Sequence, residues 1–275
     1  MPVCPARIFH IDAFTDQVFR GNPAVVCLLE AQDPRVRDTA WMQRVAAEFG
    51  LPEAAFVHRE GSNGTARWRL RWFSPLAEIA LCGHGTLAAA HALVQAQEHE
   101  RSNPLTFATQ GGTLTATVGA DVIELDLPAQ PPQEVPPNPS LTEALGTEPR
   151  WLGRAGERLI AELASDRAVL DLQPDFSKLK QLVDTEMVVV TAEATANGFD
   201  FVSRCFAPRT GVDEDHVSGS THCMLGPYWA PRRKRNDLVG FQASSRDGVV
   251  EVQVRGERVK LRGHAVTIYR GELMA

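Results

Sequence analysis

The chain is written twice. Arg71–Pro75 reads RWFSP and Arg204–Pro208 reads RCFAP. Each is followed by an acidic residue and then a glycine turn, Gly83-His84-Gly85-Thr86 in the first copy and Gly219-Ser220-Thr221-His222 in the second. Setting Gly83 on Gly219 gives an offset of 136, and the same offset carries Gly112 onto Gly248, Leu114 onto Val250, Ala116 onto Val252, Val118 onto Val254, Ile123 onto Val259 and Leu125 onto Leu261. Upstream the second copy needs three more residues, because Pro75 to Gly83 spans 8 positions and Pro208 to Gly219 spans 11. A constant offset across a helix, a turn and two strands predicts two similar domains, and 275 residues give room for both.

The local patterns fit that division. Arg7–Phe14 and Val25–Leu29 alternate like strands joined by the turn-rich FRGNP, and Asp38–Glu48 has helical spacing with Trp41, Val45, Ala46 and Phe49 on one face. Ala54–His58, Ala66–Phe73, Leu105–Ala108, Thr113–Val118 and Val122–Leu127 read as strands, with Thr86–Gln97 as a central helix. Residues 128–140, PAQPPQEVPPNPS, lack periodicity and read as the linker. The second half continues with strands at Arg167–Leu172, Met187–Thr191 and Gly198–Arg204, a helix opening near Thr221, a hairpin over Gly248–Arg262 and a last strand at Ala265–Tyr269. The expected domains are therefore 1–128 and 129–275, with the strand near 265–270 a candidate to pack across the boundary. Each is an α+β unit, a mostly antiparallel sheet curled around a central helix.

Both central helices open at a glycine turn. A helix start leaves N–H groups unpaired and carries partial positive charge, which suits a carboxylate or phosphate. Two such starts facing a shared cleft would hold a small anion from both sides; the alternative is that the glycines only close turns.

Composition narrows the partners. With 28 basic and 34 acidic residues the net charge is −6, which argues against nucleic acid or an anionic membrane, and RRKR at Arg232–Arg235 reads as a solvated loop. No window has the length of apolar sequence that a signal peptide core or a membrane span needs. Five scattered cysteines (Cys4, Cys27, Cys82, Cys205 and Cys223) read as reduced cytosolic thiols.

The chemistry-bearing residues form no standard metal motif. Cys82, His84, His91, Cys205, His222 and Cys223 offer no Cys-x-x-Cys, His-x-x-x-His or Glu-x-x-His pair, and the glycine turns match neither a phosphate-binding loop nor a dinucleotide fingerprint. Cys82 at a helix start could be a nucleophile or base, but the position 136 residues on is Ser218, so two opposed thiols are not available. A Ser220–His222–Asp215 triad lacks the Gly-x-Ser-x-Gly elbow. Glu53, in GLPEAAFVH, stands between an amphipathic helix and an apolar strand. A carboxylate beside Ala54, Ala55 and Phe56 is partly desolvated and suits proton shuttling; the alternative is a surface cap.

Taken together, the ordered segments FHIDAFTDQVFRGNPAVV, MQRVAAEFGLPEAAFV, RWFSPLAEIALCGHGTLAAAH, RCFAPRTGVDEDHVSGSTH and FQASSRDGVVEV, leading to RVKLRGHAVTIYRGEL, resemble the phenazine-biosynthesis PhzF-like family, a relative of diaminopimelate epimerase. Only about Ala129 to Thr185 lies outside the resemblance. It implies a two-domain epimerase-like fold, no organic cofactor or metal, a homodimer, and a small carboxylate-bearing substrate; the cytoplasmic location expected for the chain rests on its cysteines. It implies Glu53 as the catalytic glutamate, His84, Asp215 and Ser220 as partners that hydrogen-bond the substrate, and Gly83, Gly85 and Gly219 as the turns that meet its carboxylate. Ala54 stands where the family commonly has a hydroxyl residue, and His216 and Thr221 also depart from its pattern. The implied activity is isomerisation by proton transfer; the alternatives are an epimerase or racemase of an amino or hydroxy acid, and a non-catalytic binding protein that kept the fold.

Overall fold

The alternation at the amino terminus, ARIFHIDA, folds as β1 (Ala6–Ala13) with Ile11 and Ala13 fully buried, and the structure, a computed structural model, describes residues 5–61, 67–195 and 198–275. Cys4 and Ala66, both given a part in the sequence reading, lie outside the described residues. Contacts divide the chain into two units, Met1–Leu127 with Arg262–Ala275, and Pro128–Leu261.

Unit 1 continues with β2 (Asn22–Leu29), α1 (Thr39–Phe49), β3 (Glu53–Glu60), β4 (Arg67–Phe73), β5 (Glu78–Ile79), α2 (Gly83–Gln95), β6 (Leu105–Thr109), β7 (Gly112–Val118) and β8 (Ile123–Pro128). β1 pairs antiparallel with β2, β2 parallel with β3, β3 antiparallel with β4, β4 parallel with β6, and β6 antiparallel with β7. α1 starts where the Asp38 side chain accepts the Trp41 N–H and stops at Gly50 in the left-handed region, φ 62°. Its apolar face, Trp41, Met42, Val45 and Ala46, packs with Val25, Cys27, Phe56 and Phe73 of the sheet. α2 is the helix the sheet wraps: Leu87 to Ala90, Ala92 and Leu93 are all fully buried, and it packs on β1, β2, β3 and β7. A helix apolar all round needs such enclosure.

Unit 2 comprises β9 (Gln133–Glu134), α3 (Pro139–Leu145), β10 (Trp151–Ala155), β11 (Arg158–Glu162), α4 (Asp166–Leu170), α5 (Phe176–Lys180), β12 (Met187–Glu193), β13 (Phe201–Ala207), β14 (Val212–Asp215), α6 (Gly219–Arg233), β15 (Asp237–Gln242), β16 (Gly248–Arg255) and β17 (Arg258–Gly263). Its pairings run in the same order: β10–β11 antiparallel, β11–β12 parallel, β12–β13 antiparallel, β13–β15 parallel, β15–β16 antiparallel. Leu141, Leu145, Leu152, Leu172, Leu179, Val190 and Phe206 belong to its core.

The repeat extends to side chains. Arg71 makes a two-pronged pair with Glu78, Nε–Oε1 and Nη2–Oε2 both 2.7 Å, and Arg204 does the same with Glu214 at 2.7 and 2.9 Å. Each guanidinium also lies 5.1 Å over the phenylalanine two residues on, Phe73 or Phe206. The three additional residues of the second copy fall between these partners, where Pro208–Thr210 forms a 3-10 turn closed by Gly211 at φ 93°.

Three sequence expectations change. RRKR was read as a solvated loop, but Arg232 and Arg233 form the last turn of α6. Arg167–Leu172 was expected as a strand, but its chain is helical from Asp166 to Leu170, because Ser165 caps it by accepting the Ala168 N–H. The last strand, β18 (Ala265–Leu273), belongs to unit 1, where it runs antiparallel to β1 and covers its outer edge. Unit 2 therefore ends at Leu261, within β17, and not at the chain's end. No helix among the described residues is long and apolar enough to cross a membrane.

Candidate active site

In unit 1 the site is built by three chain reversals. The first is FRGNP. Gly21 sits at φ 64°, and a Cβ there would lie 2.2 Å from the Ala13 carbonyl oxygen, so only glycine lets β2 start this close to β1. Asn22 follows, kept extended by Pro23 and paired with Ala13. The second reversal ends α1 at Gly50 and delivers Glu53 as the first residue of β3, opposite Ala24 of β2. The third is the glycine turn that opens α2.

These reversals bring four side chains together. Glu53 Oε2 lies 2.7 Å from His84 Nε2, with the glutamate side chain 18% and the histidine 4% exposed. On the other edge of the ring, Asn22 Nδ2 is 3.1 Å from His84 Nδ1. Cys82 Sγ stands 3.7 Å from Nδ1 and 4.0 Å from Nε2, and it caps α2 by accepting the Gly85 N–H at 3.2 Å. Gly85 has no room for a side chain: a Cβ would meet Trp72 at 2.8 Å and Cys82 Sγ at 3.0 Å.

The electrostatics follow from the burial. Burial alone would make the His84 ring less basic, but attraction to Cys82 and Glu53 outweighs it and holds its pKa well above the ordinary histidine value. Burial pushes the Cys82 thiol up, against the lowering effect of His84. Glu53, Cys82 and His84 also offer a carboxylate, a thiol and an imidazole within 4.8 Å of one another, a set of metal-ligand type. Two ligands of one tetrahedral zinc stand roughly 3.3 Å apart. The 2.7 Å contact is closer than that, which fits a close ionic contact better than two arms of a chelate.

Unit 2 builds its turn from hydroxyls and an amide. Ser218 Oγ lies 3.3 Å from Ser220 Oγ, and the Ser218 side chain makes no capping bond to α6. Gln242, fully buried on β15, accepts the Ser218 N–H at 2.9 Å and donates to the Asp215 carbonyl at 2.7 Å, so it ties the end of β14 to the start of α6. Thr221 Oγ1 and His222 Nδ1 both reach the Ser218 carbonyl, at 2.9 and 2.8 Å. Burial drives His222 down to about 4. Its Nε2 has no hydrogen-bond partner, so the Ser220–His222–Asp215 triad does not form.

The predicted site residues thus fall into two groups. Glu53 and His84 meet within unit 1, with Gly83 and Gly85 in the same turn; Asp215, Gly219 and Ser220 share the second turn in unit 2. Sequence reasoning set Cys82 aside, yet it touches His84. It also missed Asn22, whose Gly-Asn-Pro setting reads as plain turn chemistry, and Gln242, which carries no motif. The signal for Asn22 was a polar residue locked between a glycine and a proline at a strand start.

Comparison with known proteins places these features. A family profile described as "Phenazine biosynthesis-like protein" matches residues 11–271. An uncharacterised isomerase of Halalkalibacterium halodurans is 44% identical over 269 residues, covering 97% of this chain and 98% of that protein. The crystal structure of a phenazine biosynthesis protein of the PhzF family from Enterococcus faecalis is 37% identical, with a TM-score of 0.90 over 98% of this chain and 99% of that one. A hydroxyproline epimerase from Agrobacterium vitis, at 12% identity and a TM-score of 0.64 over 98% of this chain and 92% of that one, shares the fold alone.

Proposed function

Because this chain belongs to the phenazine biosynthesis-like family, we propose that it is an isomerase that moves a proton on a small carboxylate-bearing metabolite without an organic cofactor or metal. Glu53 takes the proton from carbon and returns it elsewhere, and His84 holds the substrate and shares charge with the glutamate. The observation that carries this reading is the buried contact of 2.7 Å between Glu53 and His84. A carboxylate held against an imidazole, largely out of water, can pass a proton without reorganising solvent. The glycine turn at Gly83 and Gly85, where Cys82 already takes the Gly85 amide, and in unit 2 Gly219 with Asp215 and Ser220, are assigned to the substrate on the family resemblance. A homodimer is its proposed working form, testable by sedimentation.

The test is deuterium incorporation from D2O into a panel of small carboxylates, read by NMR. Wild type and Cys82→Ala should exchange a carbon-bound hydrogen, and Glu53→Gln should do so at least about 100-fold more slowly. Exchange near the wild-type rate in Glu53→Gln defeats the reading. A second reading, an epimerase in which Cys82 carries the opposite proton, is favoured by one observation, the 3.7 Å approach of its sulfur to His84 Nδ1. It requires Cys82→Ala to lose activity as completely as Glu53→Gln.

A further inference from the structure

We propose that the Asn22 side chain is a positioning residue that sets which nitrogen of the His84 ring carries the proton, and so decides whether the ring meets Glu53 as a neutral donor or as a cation. The inference rests on the acid–base reading of Glu53 and His84 given above.

The geometry leaves the two edges of the ring with different tasks. Nε2 faces Glu53 Oε2 at 2.7 Å, and Nδ1 faces the Asn22 amide at 3.1 Å. Asn22 is fully buried and cannot swing away, since it opens β2 between Gly21, pressed on the Ala13 carbonyl, and Pro23. A primary amide has a donor end and an acceptor end of nearly the same shape. With the Nδ2 group toward the ring, Nδ1 must accept, so the single proton of a neutral imidazole sits on Nε2. Glu53 then faces a donor and remains the open acceptor for a substrate proton. With the amide turned over, its oxygen accepts an Nδ1–H, and the ring can hold both protons as a cation against ionised Glu53. The two orientations correspond to the two charge states that one cycle of proton removal and return would visit.

No neighbouring group takes over this task. Among the described residues the titratable groups in contact with the ring are Glu53, from the start of β3, and Cys82, from the start of α2. Glu53 holds the opposite edge. The Cys82 sulfur is farther from Nδ1 than the amide is and already accepts the Gly85 N–H. The ordering role at Nδ1 is left to Asn22, in the way that the partner of one imidazole nitrogen dictates the state of the other.

The experiment is ring-nitrogen NMR on the full chain labelled with 15N-histidine, with the His84 signals assigned by their loss in His84→Gln. At a pH where the ring is neutral, the wild type should show the Nε2–H form. Asn22→Asp places a carboxylate at Nδ1 and should move the His84 titration midpoint up by about 1–3 pH units. Asn22→Leu keeps the volume but removes both ends of the amide, and the two ring nitrogens should then average between tautomers. Should Asn22→Asp fail to fold, the leucine variant decides alone. A neutral wild-type ring found as the Nδ1–H form overturns the proposal. So does a tautomer or midpoint unchanged in a folded variant. This readout needs no substrate, so it fails separately from the functional reading: exchange that persists in Glu53→Gln breaks the latter and leaves the ring titration to be judged by itself.

Discussion

Laid on each other by the offset of 136, the turn residues Cys82, His84, Gly85 and Thr86 of unit 1 fall on Ser218, Ser220, Thr221 and His222 of unit 2. The scaffolds agree in detail. In each, the residue four after the cap returns a hydrogen bond to the cap carbonyl, Thr86 Oγ1 to Cys82 at 2.5 Å and His222 Nδ1 to Ser218 at 2.8 Å. The chemistry does not agree. Unit 1 clusters a carboxylate, an imidazole and a thiol at its turn; unit 2 has two hydroxyls there, Asp215 at the end of β14, and a histidine turned into the core. The cap differs too, since the Cys82 sulfur closes one first-turn amide of α2 while Ser218 closes none of α6. Duplication has kept the backbone that presents N–H groups, while the clustered carboxylate, imidazole and thiol occur at the turn of unit 1. Such a division allows one copy to move protons while the other only binds.

The sharpest way to break that comparison is to remove a carrier from the chemical copy. Glu53→Gln should reduce isotope exchange at least about 100-fold, the usual size of a general acid–base contribution, whereas Ser220→Ala should fall well short of that. Equal losses in the two variants, measured as exchange rates at saturating substrate, would end the division of labour. Next in size is a packing effect confined to unit 2. His222 fits because residue 240 is glycine: a Cβ there would lie 2.5 Å from the Phe201 ring and 2.9 Å from His222 Nε2. By strand register the counterpart of Gly240 is Phe107, in the unit whose turn carries Thr86 instead of histidine. Gly240→Val should therefore cost about 3 kcal/mol in a urea titration. A loss under about 1 kcal/mol would show that neither the Phe201 ring nor His222 requires the glycine.

The fold was largely legible because duplication writes itself in spacing. The constant offset located α2 and α6 and the strand pairs β7/β16 and β8/β17, since glycine turns and alternating apolar residues are short-range signals. The Glu53–His84 contact was not readable from spacing, because thirty-one positions and a parallel strand pairing separate the two; only the resemblance named them together. Asn22 and Gln242 stayed hidden for a related reason. Each acts through buried hydrogen bonds to a distant turn, and a lone amide in a sequence carries no pattern. Arg167–Leu172 misled because its short apolar run, Ala168 to Leu170, fits a buried strand as well as a helical turn, while the deciding signal was the Ser165 cap.

Acidification separates the two histidines with opposite signs. His84 is held above its ordinary value, so its stabilisation is fully present below the unfolded pKa near 6.5 and is lost as pH rises through the folded value. His222 is depressed to about 4, so the unfolded chain binds a proton first and stability is lost as pH falls from about 6.5 toward 4. Between pH 7 and pH 5 the His222 effect is about 2 kcal/mol. Wild type should lose that much more over this interval than His222→Asn, which keeps a donor for the Ser218 carbonyl but does not titrate. Parallel stability curves for the two proteins in urea at both pH values would refute the assignment.

The smallest effect tests whether the shared scaffold is also shared in energy. Arg71 and Arg204 make the same two-pronged pair with Glu78 and Glu214 and cover the same phenylalanine position, with side chains 16% and 11% exposed. Their remaining donors go to different places. Arg71 Nη2 also reaches the Thr39 hydroxyl at 2.9 Å, near the start of α1, an exposed bond that water can replace. Arg204 Nη1 donates to the carbonyls of Leu172, at 2.6 Å, and Val169, at 3.3 Å, both buried where α4 ends. Lysine keeps the charge but cannot span a carboxylate and two carbonyls at once. Arg204→Lys should therefore destabilise the protein by about 1 kcal/mol more than Arg71→Lys, the worth of one buried hydrogen bond that solvent cannot restore. The difference is read from the midpoints of matched urea titrations at constant slope. If the two variants lose equal stability, the bonds to α4 contribute nothing and the two pairs are equivalent in energy as well as in form.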